Sequence, residues 1–137
     1  MSRAAVNVLV VEDDEVDIMA IRRAFDKRRL ENPIHVARDG VEALSMLQAA
    51  EVPRPYLILL DLNMPRMNGI EFLRALRKDP EHQDAVVFVL TTSPADQDRK
   101  AAYASNIAGY LEKADVGVGS VRLMDLLERY WELVQLP

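Results

Sequence analysis

Residues 56–61 read YLILLD, an apolar run of five residues that ends in an acid. A short apolar run without helical spacing is typical of a strand that is buried on both faces of a parallel sheet. Other short apolar runs lie on either side of it along the chain. We therefore predict five strands: Val8 to Val11, Ile34 to Ala37, Tyr56 to Leu60, Val86 to Leu90 and Ile107 to Leu111.

Between and after these runs, apolar residues recur with helical spacing, and prolines fall between the elements. Strands that alternate with helices favour a parallel sheet with helices on both faces. We predict a doubly wound, flavodoxin-like α/β domain whose five strands have the order 2-1-3-4-5. The predicted helices are Val16 to Lys27, Val41 to Ala50, Gly69 to Lys78, Ala95 to Ser105 and Ser120 to Val134.

The composition is that of an ordinary folded protein, with 50% hydrophobic and 28% charged residues among 137. This length suits one domain, so we expect a single domain over residues 1–137, with a core of about 6–135 and no output domain. The absence of cysteine excludes disulfides and thiolate metal sites and favours a reducing compartment, the cytoplasm.

Two further classes of partner are disfavoured. The net charge of −5, from 22 acids and 17 bases, argues against direct binding to nucleic acid. The one basic cluster, Lys27 to Arg29, falls at a predicted helix end, where cations favour the helix dipole. The longest apolar run, Ala85 to Leu90, is far shorter than the roughly 20 residues that a membrane-spanning helix needs.

Acidic side chains follow the first and third predicted strands. The first strand ends in Glu12, Asp13 and Asp14, and the third ends in Asp61. Ligands of open α/β sheets bind beyond the carboxyl ends of the strands, and these two strands are neighbours in the predicted order. Two like charges about 4 Å apart repel by roughly 4 kcal/mol at an effective dielectric near 20. A divalent cation, best Mg²⁺, would offset that repulsion.

Two more polar residues follow the fourth and fifth strands, Thr91 and Lys113. A carboxylate nucleophile, a metal, a hydroxyl and a lysine in one hollow suit phosphoryl transfer, in which Asp61 would attack and the others would neutralise the phosphoryl oxygens. Simpler alternatives stay open, because strand-end acids can face solvent. Asp14 in particular can cap the first helix.

Four motifs together resemble the receiver domains of two-component response regulators: VLVVEDD at residues 8–14, LLDLNMPRMNG at 59–69, VLTTS at 89–93 and GYLEK at 109–113. The resemblance implies that a histidine kinase phosphorylates Asp61 in a Mg²⁺-dependent reaction. It also implies a signalling phosphoacceptor rather than an enzyme, with only self-phosphorylation and autodephosphorylation chemistry. The remaining implied roles are a metal ligand at Asp13, a water-mediated one at Glu12, a ligand carbonyl at Asn63, a switch hydroxyl at Thr91, a phosphate-binding Lys113 and a switch aromatic at Tyr110.

Two features depart from the receiver pattern. Ala114 stands where a proline usually follows the lysine, and a cis bond before a residue other than proline costs roughly 3 kcal/mol, so cis geometry is not expected there. The segment DVGVG, residues 115–119, is looser than the usual connection. Both departures concern the setting of Lys113.

The turn LNMPRMNG and the tail YWELVQLP are similar to stand-alone receivers paired with bacterial and cyanobacterial phytochrome kinases. The resemblance to these receivers implies a dimer formed through the fourth and fifth helices and the fifth strand. We therefore predict a homodimer with Tyr103, Met124 and Trp131 in its interface, where Met124 and Trp131 lie beside the buried stripe of the last helix. The alternative is that Trp131 folds over the edge of the core as a lid.

Three other functions fit the residues less well. A receiver that has lost phosphorylation would lack one of the acid, threonine or lysine positions. A phosphatase of the haloacid dehalogenase type would need an acid two residues after the nucleophile, where Asn63 stands. A flavin carrier would need a phosphate-binding loop after the first strand, and that loop is acidic here.

Overall fold

The computed structural model describes residues 5–137, and residues 1–4 of the predicted domain lie outside that range. The strands are β1 (Asn7–Val11), β2 (Ile34–Ala37), β3 (Tyr56–Leu60), β4 (Val86–Thr91) and β5 (Gly109–Glu112). The helices are α1 (Glu15–Lys27), α2 (Gly40–Gln48), α3 (Gly69–Lys78), α4 (Asp96–Ala104), α5 (Lys113–Val116) and α6 (Val121–Leu133).

The five strands form one parallel sheet in the order β2-β1-β3-β4-β5, which confirms the predicted topology. β1 and β3 lie inside the sheet, and every residue in both is buried. Their register pairs Val11 with Leu60, so the two strands end at the same level. The residues that follow them, Glu12 and Asp61, therefore begin at one edge of the sheet.

Side chains of successive strand residues point to opposite faces of the sheet, and each face has its own core. Leu9 and Ile58 pack on the face that is covered by α2, α3 and α4, where Phe72 contributes from α3. Leu57 and its neighbours on the other face pack beneath α1 and α6, where Phe25 contributes from α1. The predicted helices on both faces are confirmed. No helix within residues 5–137 is long and apolar enough to cross a membrane.

Polar side chains fix where the helices begin. The Asp14 carboxylate accepts hydrogen bonds from the backbone N–H groups of Val16 and Asp17, at 2.9 and 3.4 Å, so the capping alternative for Asp14 is correct. Asn68 and Glu71 form a capping box at the start of α3. This box also ends the loop that follows β3.

The guanidinium of Arg77 links the end of α3 to the loops that enter β4 and β5. It is partly buried and donates to backbone carbonyls only, at 2.7 to 3.0 Å, which are those of Gln83, Ala85, Ser105 and Asn106. Burial lowers the pKa of Arg77, but an arginine remains charged. One side chain therefore satisfies carbonyls from two connections at the edge of the sheet away from the acids.

The last strand and its connection differ from the prediction. β5 begins at Gly109, which pairs with Phe88, rather than at Ile107. Ile107 is buried in the core but does not pair with β4. The strand was predicted to begin too early because an apolar run indicates burial and does not show which residues pair in the sheet. In the DVGVG segment, which is expected to be looser than the usual connection, the first two residues complete the single helical turn α5, which starts at Lys113.

The prediction that Met124 lies beside the buried stripe and in the dimer interface is wrong, since this side chain is only 1% exposed. The buried stripe of a helix against a sheet is wide enough for Leu123, Met124 and Leu127 all to face the core. Trp131 packs against Phe25 of α1, with 6.1 Å between the ring centroids. This contact favours the alternative in which Trp131 covers the edge of the core.

Candidate phosphoacceptor and metal site

Three acids meet at the carboxyl ends of β1 and β3. Glu12, Asp13 and Asp61 each offer a carboxylate oxygen, and these oxygens all lie within 4.8 Å of one another. Glu12 and Asp61 are only 4% and 6% exposed, whereas Asp13 is exposed. The structure thus brings together the acids that the sequence placed at neighbouring strand ends, with two of them withdrawn from water.

Backbone hydrogen bonds continue the sheet into these acids and fix their positions. The N–H of Glu12 donates to Ala37 of β2 at 2.9 Å, and the N–H of Asp61 donates to Val11 of β1 at 3.0 Å. The loop after β3 then returns to the site. A Cβ on Gly69 would lie 2.6 Å from the carbonyl oxygen of Asp61, so the start of α3 approaches this strand end as closely as a residue without a side chain allows.

The crowding of acids disfavours ionisation of the most buried one. Burial raises the pKa of Glu12 to about 7, the charge of Asp61 adds to the effect, and a hydrogen bond from Lys113 partly opposes it. An additional cation beside these oxygens would instead favour the ionised form of Glu12. The donor set consists of hard carboxylate oxygens, which suits a divalent metal ion.

Lys113 is the cation that pairs with these acids. Its Nζ lies 2.9 Å from Glu12 Oε2, 2.6 Å from Asp17 Oδ2 and 3.7 Å from Asp61 Oδ2. Burial opposes its charge, but the hydrogen bonds that Lys113 donates to Asp17 and Glu12 outweigh burial and raise the pKa of Lys113. The bond to Ala114 is trans, since Arg54–Pro55 is the one cis peptide bond in the described part of the chain.

Asp17 is a site residue that the sequence reasoning missed. It lies in the first turn of α1, 96 residues from its partner Lys113. Asp17 belongs to the first helical turn and not to a strand end, so the strand-end rule does not select it. The signal in the sequence is its place as the third residue of the helix that begins directly after the acids Glu12 to Asp14.

Thr91 and Tyr110 are joined through the loop after β4. Thr91 is fully buried at the end of β4, and its hydroxyl oxygen accepts from the N–H of Ser93 at 3.3 Å. Tyr110 on β5 donates its hydroxyl proton to the carbonyl of Ser93 at 2.8 Å, and burial raises the pKa of Tyr110. The predicted hydroxyl and aromatic residues, Thr91 and Tyr110, are thus both held by Ser93.

Asn63 follows the candidate phosphoacceptor by two residues. Its backbone N–H donates to Asp61 Oδ1 at 3.4 Å, a long contact.

Known proteins resemble this chain in sequence and in fold over most of its length. The family model of the response regulator receiver domain matches residues 8–119. The chain belongs to the response regulator receiver family. Response regulator Rcp1 of Synechocystis sp. is 33% identical over an alignment of 135 positions that covers 95% of this chain and 92% of that protein.

Two solved structures of response regulators resemble this receiver over almost its whole length. The Mn²⁺-bound form of Rcp1 has a TM-score of 0.84 and 32% identity, and covers 96% of this chain and 99% of its own. The phosphorylated cyanobacterial phytochrome response regulator RcpA has a TM-score of 0.85 and 31% identity, and covers 98% and 99%. Receivers are signalling proteins that histidine kinases phosphorylate, and the acids of this one fit a divalent metal ion.

Proposed function

We propose that this receiver accepts a phosphoryl group on Asp61 from a histidine kinase in a Mg²⁺-dependent reaction. The observation that carries the proposal is the placement of Asp61, buried at a strand end, between two other acids and the Lys113 ammonium 3.7 Å away. A nucleophile beside a cation and a set of metal ligands has what phosphoryl transfer requires.

In the proposed step a carboxylate oxygen of Asp61 attacks the phosphorus of a phosphohistidine. The new O–P bond forms as the P–N bond breaks, and the bonding pair leaves with the imidazole nitrogen, which takes up a proton. The Lys113 ammonium and the Thr91 hydroxyl neutralise the phosphoryl oxygens. This chemistry modifies the protein itself, so we propose a phosphoacceptor with only self-phosphorylation and autodephosphorylation activity.

The residues that would hold Mg²⁺ are Asp13 and Asp61 directly, Glu12 through water, and the backbone carbonyl of Asn63. Their support is the shared 4.8 Å span of the three carboxylates and the preference of Mg²⁺ for a few oxygen ligands. Bound Mg²⁺ supplies positive charge that offsets the repulsion among the acids and stabilises the transferring phosphoryl group.

The test is transfer of labelled phosphate from a purified histidine kinase. We expect transfer to the wild-type chain with Mg²⁺ and none after chelation, and none to Asp61→Asn. A suitable control is Asp26→Asn, which changes an exposed acid towards the far end of α1 and should accept phosphate normally. Labelling of Asp61→Asn at the wild-type level would refute the assignment.

We propose that phosphorylation is read out through Thr91 and Tyr110. Movement of Thr91 towards the phosphoryl oxygens would disturb the Ser93 loop that both residues contact, and the Tyr110 hydroxyl would lose its 2.8 Å partner. NMR spectra with and without beryllofluoride test this, because signals of Tyr110 should shift together with those of Thr91. Unchanged Tyr110 signals in the bound protein would exclude the switch.

We propose a bacteriophytochrome kinase as the donor and the cytoplasm as the location. Support for the donor comes from the turn at residues 62–69 and from the likeness to RcpA, itself described as a phytochrome response regulator. A chain with no cysteine suits a reducing compartment. Phosphotransfer rates from a panel of kinases decide the donor, and a phytochrome kinase that transfers no faster than unrelated kinases would exclude it.

We also propose a homodimer through α4, β5 and α6, the last being the fifth helix predicted from the sequence. Its support is Tyr103, which is 49% exposed and lies on α4, a helix that contacts the edge strand β5. Sedimentation should give a dimer at micromolar concentration that Tyr103→Ala weakens. Met19→Ala, which alters a 43% exposed apolar residue on α1, is the matched control. A monomer with and without beryllofluoride would exclude the dimer.

A further inference from the structure

The ion pair between Asp17 and Lys113 has no role in the chemistry proposed above. At 2.6 Å it is the shortest of the three contacts between the Lys113 ammonium and a carboxylate, against 2.9 Å to Glu12 and 3.7 Å to Asp61. Both side chains are largely buried, with 10% of Lys113 and 19% of Asp17 exposed. Solvent therefore screens this pair less than an ordinary surface ion pair.

The fold keeps Asp17 and Lys113 close together, because the segments that carry them are both fixed in position. Asp17 lies in the first turn of α1, which the Asp14 side chain caps. The segment after Lys113 returns to the same helix, where Gly119 has a φ of 72° and a Cβ would meet the carbonyl oxygen of Ala20 at 2.6 Å. The connection that carries Lys113 therefore lies directly against α1, and the pair does not depend on a free loop.

We propose that Asp17 is a positioning residue of the phosphoacceptor site, which holds Lys113 in the unphosphorylated protein and competes with the phosphoryl group for its ammonium. This inference rests on the proposed phosphoacceptor function of Asp61. An ammonium has three N–H donors, and the two closest carboxylates already take the best contacts. The third N–H remains for a phosphoryl oxygen on Asp61, but Asp61 lies 3.7 Å away, so the ammonium must move away from Asp17 and Glu12 to serve that oxygen fully.

Removal of the Asp17 charge should therefore favour the phosphorylated arrangement. Asp17→Asn keeps the size of the side chain, weakens its hold on Lys113 and removes a negative charge near the incoming anion. A charge-assisted hydrogen bond contributes enough that its loss corresponds to roughly tenfold in an equilibrium constant. We expect beryllofluoride, a phosphoryl mimic, to bind Asp17→Asn about tenfold more tightly than wild type at saturating Mg²⁺.

A general effect of charge must be separated from an effect through Lys113. Glu15→Gln removes the same charge from the same helical turn, but Glu15 is 59% exposed and pairs with Arg38 at 2.7 Å. It should change the affinity by less than about twofold. In a Lys113→Gln background, Asp17→Asn should also have less than about a twofold effect, because the partner through which it acts is absent.

Isothermal titration calorimetry with Mg²⁺ and beryllofluoride measures these affinities. Asp17→Glu provides a second test, since restoring the carboxylate should return the affinity to within about threefold of wild type even if Lys113→Gln binds too weakly to measure. Equal affinities of Asp17→Asn and Glu15→Gln, or tighter binding by Asp17→Glu as well, would overturn the inference. A wild-type chain that binds no beryllofluoride would instead refute the phosphoacceptor function, and the inference with it.

Discussion

Glu12 should make the metal-free protein less stable as the pH rises through the weakly acidic range. Burial beside Asp61 raises the pKa of Glu12 from 4.5 to about 7 in the folded protein. In the unfolded chain the same carboxyl is solvated and ionises near its ordinary value. Between these two values the folded protein keeps a proton that the unfolded chain has already lost, so the free energy of unfolding falls with rising pH.

The magnitude follows from the width of that window. Each pH unit between 4.5 and about 7 costs about 1.4 kcal/mol, so the total loss is about 3 to 4 kcal/mol and is complete above about pH 7. The sign is opposite to that of an acid whose pKa is lowered on folding. The raised pKa of Lys113 does not alter this window, because a lysine is charged in both states throughout it.

Urea unfolding with a chelator present, from about pH 4.5 to about pH 8, measures the effect. Other acids also titrate there, so the result is the difference between wild type and Glu12→Gln, which cannot ionise. Glu15→Gln, at an exposed acid, controls for the loss of one charge. Added Mg²⁺ should restore stability most at high pH. A difference between wild type and Glu12→Gln that stays constant across the range would refute this reasoning.

Three further changes have expected outcomes in urea unfolding. Gly69→Ala should destabilise by about 2 kcal/mol, because its Cβ would meet the backbone at Asp61, and should weaken beryllofluoride binding. Arg77→Lys should cost about 2 kcal/mol, since one ammonium cannot serve the carbonyls that the guanidinium fork reaches. Tyr110→Phe should cost about 1 kcal/mol through the lost bond to Ser93, and an unchanged midpoint would show that this bond contributes nothing.

The sheet was predictable because its buried strands are both apolar and short. The runs at residues 8–11 and 56–60 match β1 and β3 to within one residue. Their order is that of a flavodoxin-like doubly wound domain, and this order makes the first and third strands neighbours, so that their acids meet. The prediction was least accurate at β5, an edge strand with partly exposed residues, where Ile107 continues the apolar pattern but precedes the ladder.

Burial on the last helix was harder to predict, because helical spacing gives the direction of a stripe but not its width. Met124 follows Leu123 directly and still faces the sheet, since α6 lies flat on a core that also contacts α1. The position of Arg28, at the end of α1, also depends on tertiary contacts that the sequence pattern does not reveal. This residue was interpreted as part of a basic cluster at a helix end, but it donates to Asp125 and Glu128 and so ties α1 to α6.

The contact between Asp17 and Lys113 could have been predicted from the sequence. α1 begins directly after three acids at a strand end, with Asp14 as its N-cap, so the third residue of the helix lies in its first turn, next to the end of β1. In EDDEVD, residues 12–17, that residue is an acid. A lysine expected at the same strand edge then has a third carboxylate within reach. This position predicts a competitor for that lysine before any contact is known, and beryllofluoride affinities of other receivers with and without an acid at this position would test whether the competition is general.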